Sequence, residues 1–209
     1  MAWKGRKRMP VKINKLNKSF GDNHVLRNLE LELEDGGIYC LMGPSGMGKT
    51  TLLRIILGLE SMDSGTIHGI EPDKTTAMFQ EDRLCPVLSA IENVALICKK
   101  KPSRRDIRRS LEEILPAECL DQPISELSGG MKRRVALARA FYEPGGLVIL
   151  DEPFTGLDTE TKKEVIEYLL KQRKGRILLV ATHGEDDASL LGAGIIRMEE
   201  IQEGRRSNG

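Results

Sequence analysis

Apolar and polar positions alternate early in the chain. Leu29, Leu31 and Leu33 are interleaved with Glu30, Glu32 and Glu34, a period of two that predicts a strand with one buried and one wet face. Strand character begins near Met9, and Asp35-Gly36-Gly37 predicts a turn. The runs Ile38–Met42, Leu147–Leu150 and Ile177–Ala181 show no alternation, as expected of strands covered on both faces. Between them lie helical patterns over Thr51–Leu59, Gly130–Tyr142 and Thr159–Gln172. In the first, Leu52, Leu53, Ile55, Ile56 and Leu59 share the buried side and Gly58 stands near the end. Ser61–Gly69 reads as turn-rich, and Ala77-Met78-Phe79 as a short strand ending at Gln80. From Leu84 to Ser125, helical spacing (Ile91, Val94 and Ala95, then Ile107, Leu111, Ile114 and Leu115) is interrupted by Pro102, Pro116 and Pro123. Buried strands alternating with helices predict an α/β fold with a parallel sheet. No internal repeat or low-complexity tract is present.

Composition narrows the class. A chain of 209 residues, 40% hydrophobic and 30% charged, suits one globular domain with a sizeable core. Thirty-two Lys and Arg against 31 Asp and Glu leave a formal charge of +1, which removes whole-molecule attraction to nucleic acid or anionic lipid. The longest apolar runs fall far short of the ~18–20 residues that span a bilayer. No apolar core follows the basic start (Lys4, Arg6, Lys7, Arg8), so no secretory leader is expected and the chain reads as soluble and cytosolic. Cys40, Cys85, Cys98 and Cys119 form no C-x-x-C pair and fit neither a zinc site nor a disulfide framework; reduced thiols are expected.

The sharpest chemical signal is Gly43-Pro44-Ser45-Gly46-Met47-Gly48-Lys49-Thr50, a G-x-x-x-x-G-K-[ST] loop between a predicted buried strand and a predicted helix. Glycines let successive backbone N–H groups curl around one anion, and the helix start adds its positive dipole end. Lys49 is placed to reach terminal phosphates, and the Thr50 hydroxyl to ligate Mg²⁺. Thr51 follows as a further phosphate-side contact.

Leu147–Leu150 delivers Asp151 and Glu152 to the end of a buried strand, where ligands sit in open α/β sheets. Asp151 suits a magnesium partner, and Glu152 a general base for an attacking water. Gln80 is placed to reach the metal or that water. Ser128, with Gly129 and Gly130, opens a helix whose bared N–H groups suit an anion, and Ser128 equally suits a plain helix cap. His183 follows the Ile177–Ala181 strand on the side of the sheet where Asp151 lies.

In this order the motifs resemble the ATP-binding cassette (ABC) ATPase family over about Val11 to Met198. On that resemblance Gly43–Thr50 is Walker A, Gln80 the Q-loop, Leu127–Met131 the signature, Leu147–Asp151 Walker B and Glu152 the catalytic glutamate. Gly156-Leu157-Asp158 is similarly the D-loop, His183 the switch histidine, and Phe20 the aromatic that stacks on adenine. Met131 stands where the family commonly has Gln, and Gly184 where Asp often follows the histidine. The fold implied is a P-loop NTPase core with a parallel sheet, an N-terminal antiparallel β subdomain and an inserted helical subdomain at about 84–142, within one domain spanning 1–209.

The resemblance also implies a mechanism. ATP and Mg²⁺ would be held between two head-to-tail copies, Walker A of one facing Ser128 and Gly130 of the other. Closing and opening would drive transmembrane permease subunits, served by an extracytoplasmic substrate-binding protein, with this chain peripheral on the inner membrane face. Phe79–Leu84 and Ile91–Val94 look like the ATPases of nitrate, sulfonate, taurine and pyrimidine-precursor importers, although Cys85-Pro86-Val87 departs from their usual Leu-Pro-Trp. About 25 residues follow the His183 strand, so no appended regulatory domain is expected. Two other readings stay open: an exporter or lipoprotein-release ATPase, and a soluble ABC ATPase whose Lys99–Lys101, Arg104, Arg105, Arg108 and Arg109 meet nucleic acid or ribosomes. The second would call for a long coiled coil or a second cassette, and nucleic acid is not the expected partner.

Overall fold

The computed structural model describes residues 10–99 and 103–202. The basic start, Lys100, Lys101 and Pro102 lie outside the described residues. Two sheets share the chain. β1 (Val11–Phe20) and β2 (Asn23–Leu33) form a long antiparallel pair, extended on the other side of β1 by β4 (Ser64–His68). β3 (Ile38–Met42), β5 (Thr75–Met78), β6 (Leu147–Asp151), β7 (Ile177–Ala181) and β8 (Gly194–Arg197) form a parallel sheet in the order β5-β6-β7-β3-β8. The helices are α1 (Lys49–Ile56), α2 (Ala90–Ala95), α3 (Arg104–Leu111), α4 (Gly129–Tyr142), α5 (Thr159–Gln172) and α6 (Glu185–Leu191).

The alternating leucines of β2 are buried as the period of two requires, facing Val11, Ile13 and Leu16 across β1. The continuous apolar runs divide between two cores. Leu41, Leu147, Ile149, Ile177 and Leu179 point to one face of the parallel sheet, where α1 (Leu52, Leu53, Ile55, Ile56) lies between it and the antiparallel sheet. Cys40, Met42, Val148, Leu150, Leu178 and Val180 point to the other face, which α2 to α6 cover. Burial on both faces is why these strands carry no polar alternation. Cys40 and Cys119 are buried within this second core, and all four cysteines are free thiols.

Several expectations shift. The first helix starts at Lys49 and ends at Ile56, leaving Leu59 exposed beyond Gly58. β5 ends at Met78, so Phe79 and Gln80 follow the strand. The turn-rich stretch holds β4, and after His183 the chain adds α6 and β8, which completes the parallel sheet next to β3. Between β5 and β6 the chain forms α2, α3 and α4, with Pro116 and Pro123 each opening a single 3₁₀ turn.

Candidate functional site

The parallel sheet gathers the site. β3, β5, β6 and β7 are neighbours in register, Met78 opposite Leu150 and Asp151 opposite Ala181, so their carboxyl ends open on one side. A cleft of about 540 Å³ at that edge is lined by Phe20, Val25, Ser45, Gly46, Gly48, Lys49, Thr50, Thr51, Gln80, Asp151, Glu152, Thr155 and His183. That volume suits a nucleotide-sized ligand. Val25 and Thr155 are additions that no motif announced.

The loop between β3 and α1 is shaped by left-handed backbone at Gly46 and Gly48, with φ of 81° and 94°. Gly48 also faces β2 so closely that a Cβ would stand 2.7 Å from Leu26 Cδ2. As the N-cap of α1 it supplies no side-chain oxygen, whereas Ser89, Ser103, Ser128 and Asp158 cap α2 to α5. The first-turn N–H groups of α1 are therefore left to an external acceptor, and the first turn itself carries no acidic side chain. Lys49 is buried, and its ammonium donates to the carbonyls of Gly43 (2.5 Å) and Pro44 (3.3 Å) of its own loop. Burial pushes its pKa down, against the pull of the Glu152 and Asp151 carboxylates. A phosphate would relieve that desolvated charge.

Across the cleft, Thr50 Oγ1 donates to Asp151 Oδ2 at 3.3 Å. Burial raises the pKa of Asp151, opposed by Thr50, Lys49, Arg133 and His183. Glu152 takes a left-handed φ of 51° just past the strand, its N–H donating to Ala181 of β7. Burial likewise raises its pKa. His183 Nε2 lies 3.1 Å from Glu152 Oε1, but without hydrogen-bond geometry, so this buried oxygen keeps no hydrogen-bond partner among the described residues. Such an orphan acceptor suits a water or ligand that would fill the cleft.

The Phe20 ring is 49% exposed at the cleft rim. Lys18 sits 4.8 Å from its centroid and is itself fixed by Glu60 at 2.9 Å and Asp63 at 3.7 Å. At Gly184, which follows His183, an added Cβ would lie 2.8 Å from Asp187 Oδ2. Asp187 is buried, accepts from Thr182 Oγ1 at 2.5 Å and pairs with Lys162 at 2.7 Å. An acid three residues beyond the glycine thus braces the histidine turn.

Of the predicted residues, Gly43, Pro44 and Met47 belong to the loop but do not line the cleft, and four others stand outside it altogether. Ser128 Oγ accepts from Met131 N at 3.3 Å as the cap of α4, and Gly129 and Gly130 begin that helix. The Asp158 carboxylate caps α5, accepting from Thr161 N and Oγ1 at 2.9 and 2.7 Å, and those bonds hold its pKa down. None of the four lines the cleft around Lys49. The basic cluster near α3 is partly spent internally: Arg104 and Arg108 both pair with Asp121, and Lys99 donates to the Asp73 carbonyl.

The sequence profile of the ABC transporter family matches residues 26–155. The chain belongs to that family. It is 37% identical over 184 residues to the aliphatic sulfonates import ATP-binding protein SsuB 1 of Pseudomonas syringae, covering 87% of this chain and 77% of that one. To the sulfate/thiosulfate import ATP-binding protein CysA of Neisseria meningitidis it is 36% identical over 200 residues, 86% of this chain and 56% of that one. A dimeric ATP-binding cassette solved in a post-hydrolysis state with ADP and phosphate superposes with a TM-score of 0.78 at 28% identity, over 90% of this chain and 93% of that chain. Like its ABC relatives the chain binds and hydrolyses ATP. Among the described residues no helix is long and apolar enough to cross a membrane.

Proposed function

We propose that this chain is the ATP-hydrolysing subunit of an importer of a small solute, one ATP-binding domain whose helical part spans about 84–142. It works as a head-to-tail pair docked through permease subunits on the inner face of the membrane, with a substrate-binding protein outside. The observation that carries this reading is the split of the site. Phe20, Ser45, Gly46, Gly48, Lys49, Thr50, Thr51, Gln80, Asp151, Glu152 and His183 share one cleft, while Ser128, Gly129, Gly130 and Asp158 lie elsewhere on the chain. A second copy turned head-to-tail would bring the missing group to the cleft.

The roles follow from the geometry. Phe20 offers its exposed face to adenine, and the backbone N–H groups from Gly46 to Thr51 hold the phosphates. Lys49 leaves its loop carbonyls for the terminal phosphates. Thr50, Asp151 and Gln80 offer hard oxygens to magnesium, which would neutralise charge building on the phosphates. The Glu152 carboxylate takes a proton from the attacking water, and His183, 3.1 Å from its Oε1, steadies the charge near the γ-phosphate. Val87, Leu96 and Ile97, all exposed, provide apolar surface for the permease.

Replacing the base tests the assignment. Glu152→Gln should retain ATP binding, trap the closed pair with ATP, and lower phosphate release ~10²-fold or more. Hydrolysis at the wild-type rate in that variant would overturn the role of Glu152.

A further inference from the structure

Arg133, in the second turn of α4, is 7% exposed although it sits between Lys132 and Arg134 in a run that reads as solvated surface. Its guanidinium reaches two separate segments. On one side it donates to Gln80 O at 2.7 Å and to Asp82 Oδ1 at 2.9 Å, just past β5. On the other it donates to Pro153 O at 3.3 Å, to Glu152 O, and more distantly to Asp151 O at 3.5 Å, just past β6. Because β5 and β6 are adjacent parallel strands, one side chain stitches together the two loops that carry Gln80 and Glu152.

We propose that Arg133 is a positioning residue for hydrolysis, fixing the Glu152 backbone and locking it to the segment that holds Gln80. The proposal rests on the reading of Glu152 as the base. Glu152 stands at a φ of 51°, a conformation that persists in a non-glycine residue only where its surroundings hold it. Both backbone polar groups of Glu152 are held: its N–H by Ala181 O at 2.9 Å, and its carbonyl by Arg133 together with a longer bond from Thr155 N at 3.4 Å. Without the guanidinium that carbonyl keeps only the longer Thr155 bond among the described residues, so the peptide is freer to rotate and to swing the carboxylate away from the attacking water. Only a planar fork of N–H donors spans both loops; an ammonium is a point charge at the end of a single stem. Burying the charge is costly, and the ion pair with Asp82 and the more distant Asp151 carboxylate offset that cost. The same stitch gives movement of the 80–82 segment a direct path to Glu152. Arg139, six residues further along α4, strengthens the grip by donating to Asp82 O at 2.7 Å and Arg83 O at 2.8 Å.

Arg133→Lys keeps the charge on a slightly shorter stem but not the fork. In the purified full chain it should lower kcat about 10- to 100-fold, the loss expected when a reacting group is misplaced by an ångström. KM for ATP should change less than about threefold, since the phosphate loop is untouched. In a Glu152→Gln background the same change should cost nothing further, because the group it positions is gone. Asp82→Asn, which removes the counter-charge from a partly exposed position, should lower kcat several-fold with KM unchanged, and it carries the test if Arg133→Lys does not fold. Wild-type kcat in Arg133→Lys or Asp82→Asn, an equal loss in kcat and ATP affinity, or a full additive loss in the Glu152→Gln background would overturn the proposal. If Glu152→Gln itself hydrolyses normally, the reading of the base has failed. If it is inactive while Arg133→Lys turns over normally, only the role of Arg133 has failed.

Discussion

The Thr50 hydroxyl stands 3.3 Å from Oδ2 of Asp151, a contact between the phosphate-loop helix and the end of a fully buried strand. One hydroxyl is modest company for a carboxylate that is only 5% exposed, and burial accordingly raises its pKa above the ordinary carboxylate value. On the proposed reading these two side chains would be ligands of a cation. Function here is stored as an unfavourable charge, relieved on binding.

The stability cost has a definite sign. With the folded pKa of Asp151 raised, the folded chain binds that proton more tightly than the unfolded one. The group therefore favours folding most below its unfolded pKa, and that contribution is lost as pH rises through the raised folded value. Asp151→Asn removes the charge, so the nucleotide-free variant should melt roughly 2–4 °C above wild type at neutral pH. The two should converge in acid, and Mg-ATP should stabilise wild type far more than the variant. Thermal scans across pH check this; a variant that melts lower at neutral pH would reverse the sign assigned to the site.

Gly48 links the phosphate loop to the antiparallel sheet. Its φ of 94° strains any other residue, and an added Cβ would meet Leu26 at 2.7 Å and Val25 at 2.9 Å. Gly48→Ala should lose about 1–3 kcal/mol in urea denaturation and bind ATP poorly. Gly46→Ala, with φ of 81° and open space around the added methyl, should lose less. Equal losses would show that backbone strain alone, without the contact to β2, sets the cost.

The site was more legible in the sequence than the margins of the fold. Leu147–Asp151 and Ile177–Ala181 are buried on both faces, so their apolar runs announce them with little ambiguity. β4 escaped notice because Ser64-Gly65-Thr66-Ile67-His68 is a half-exposed edge strand whose glycine, at φ 111°, packs against the backbone of β1. β8 is another edge strand with exposed residues, and α6 opens at Gly184 without a side-chain cap, so neither carries a strong local signal. Gln80 was expected at a strand end and instead lies in a bend that Arg133 and Arg139 hold from α4. Arg133 itself had no signal at all: its burial arises only when two loops distant in sequence close around it.

Whether two chains share each site is decided by mixing variants that fail for different reasons. Lys49→Ala removes the cation that meets the phosphates and should abolish or severely weaken ATP binding. Ser128→Asp keeps an oxygen to cap α4, as the Met131 N–H requires, but sets a carboxylate where the partner's phosphate is expected. Each alone should hydrolyse ATP poorly, the second while still binding it. A mixed pair joins the intact phosphate loop of the Ser128→Asp chain to the intact α4 start of the Lys49→Ala chain. Random pairing makes half of the pairs mixed, each with one whole site, so an equimolar mixture should recover roughly a quarter of wild-type turnover. Recovery should rise with protein concentration, because the whole site exists only in the pair. A mixture no more active than its components, or full turnover by Ser128→Asp alone, would mean that the cleft of one chain is complete without the other.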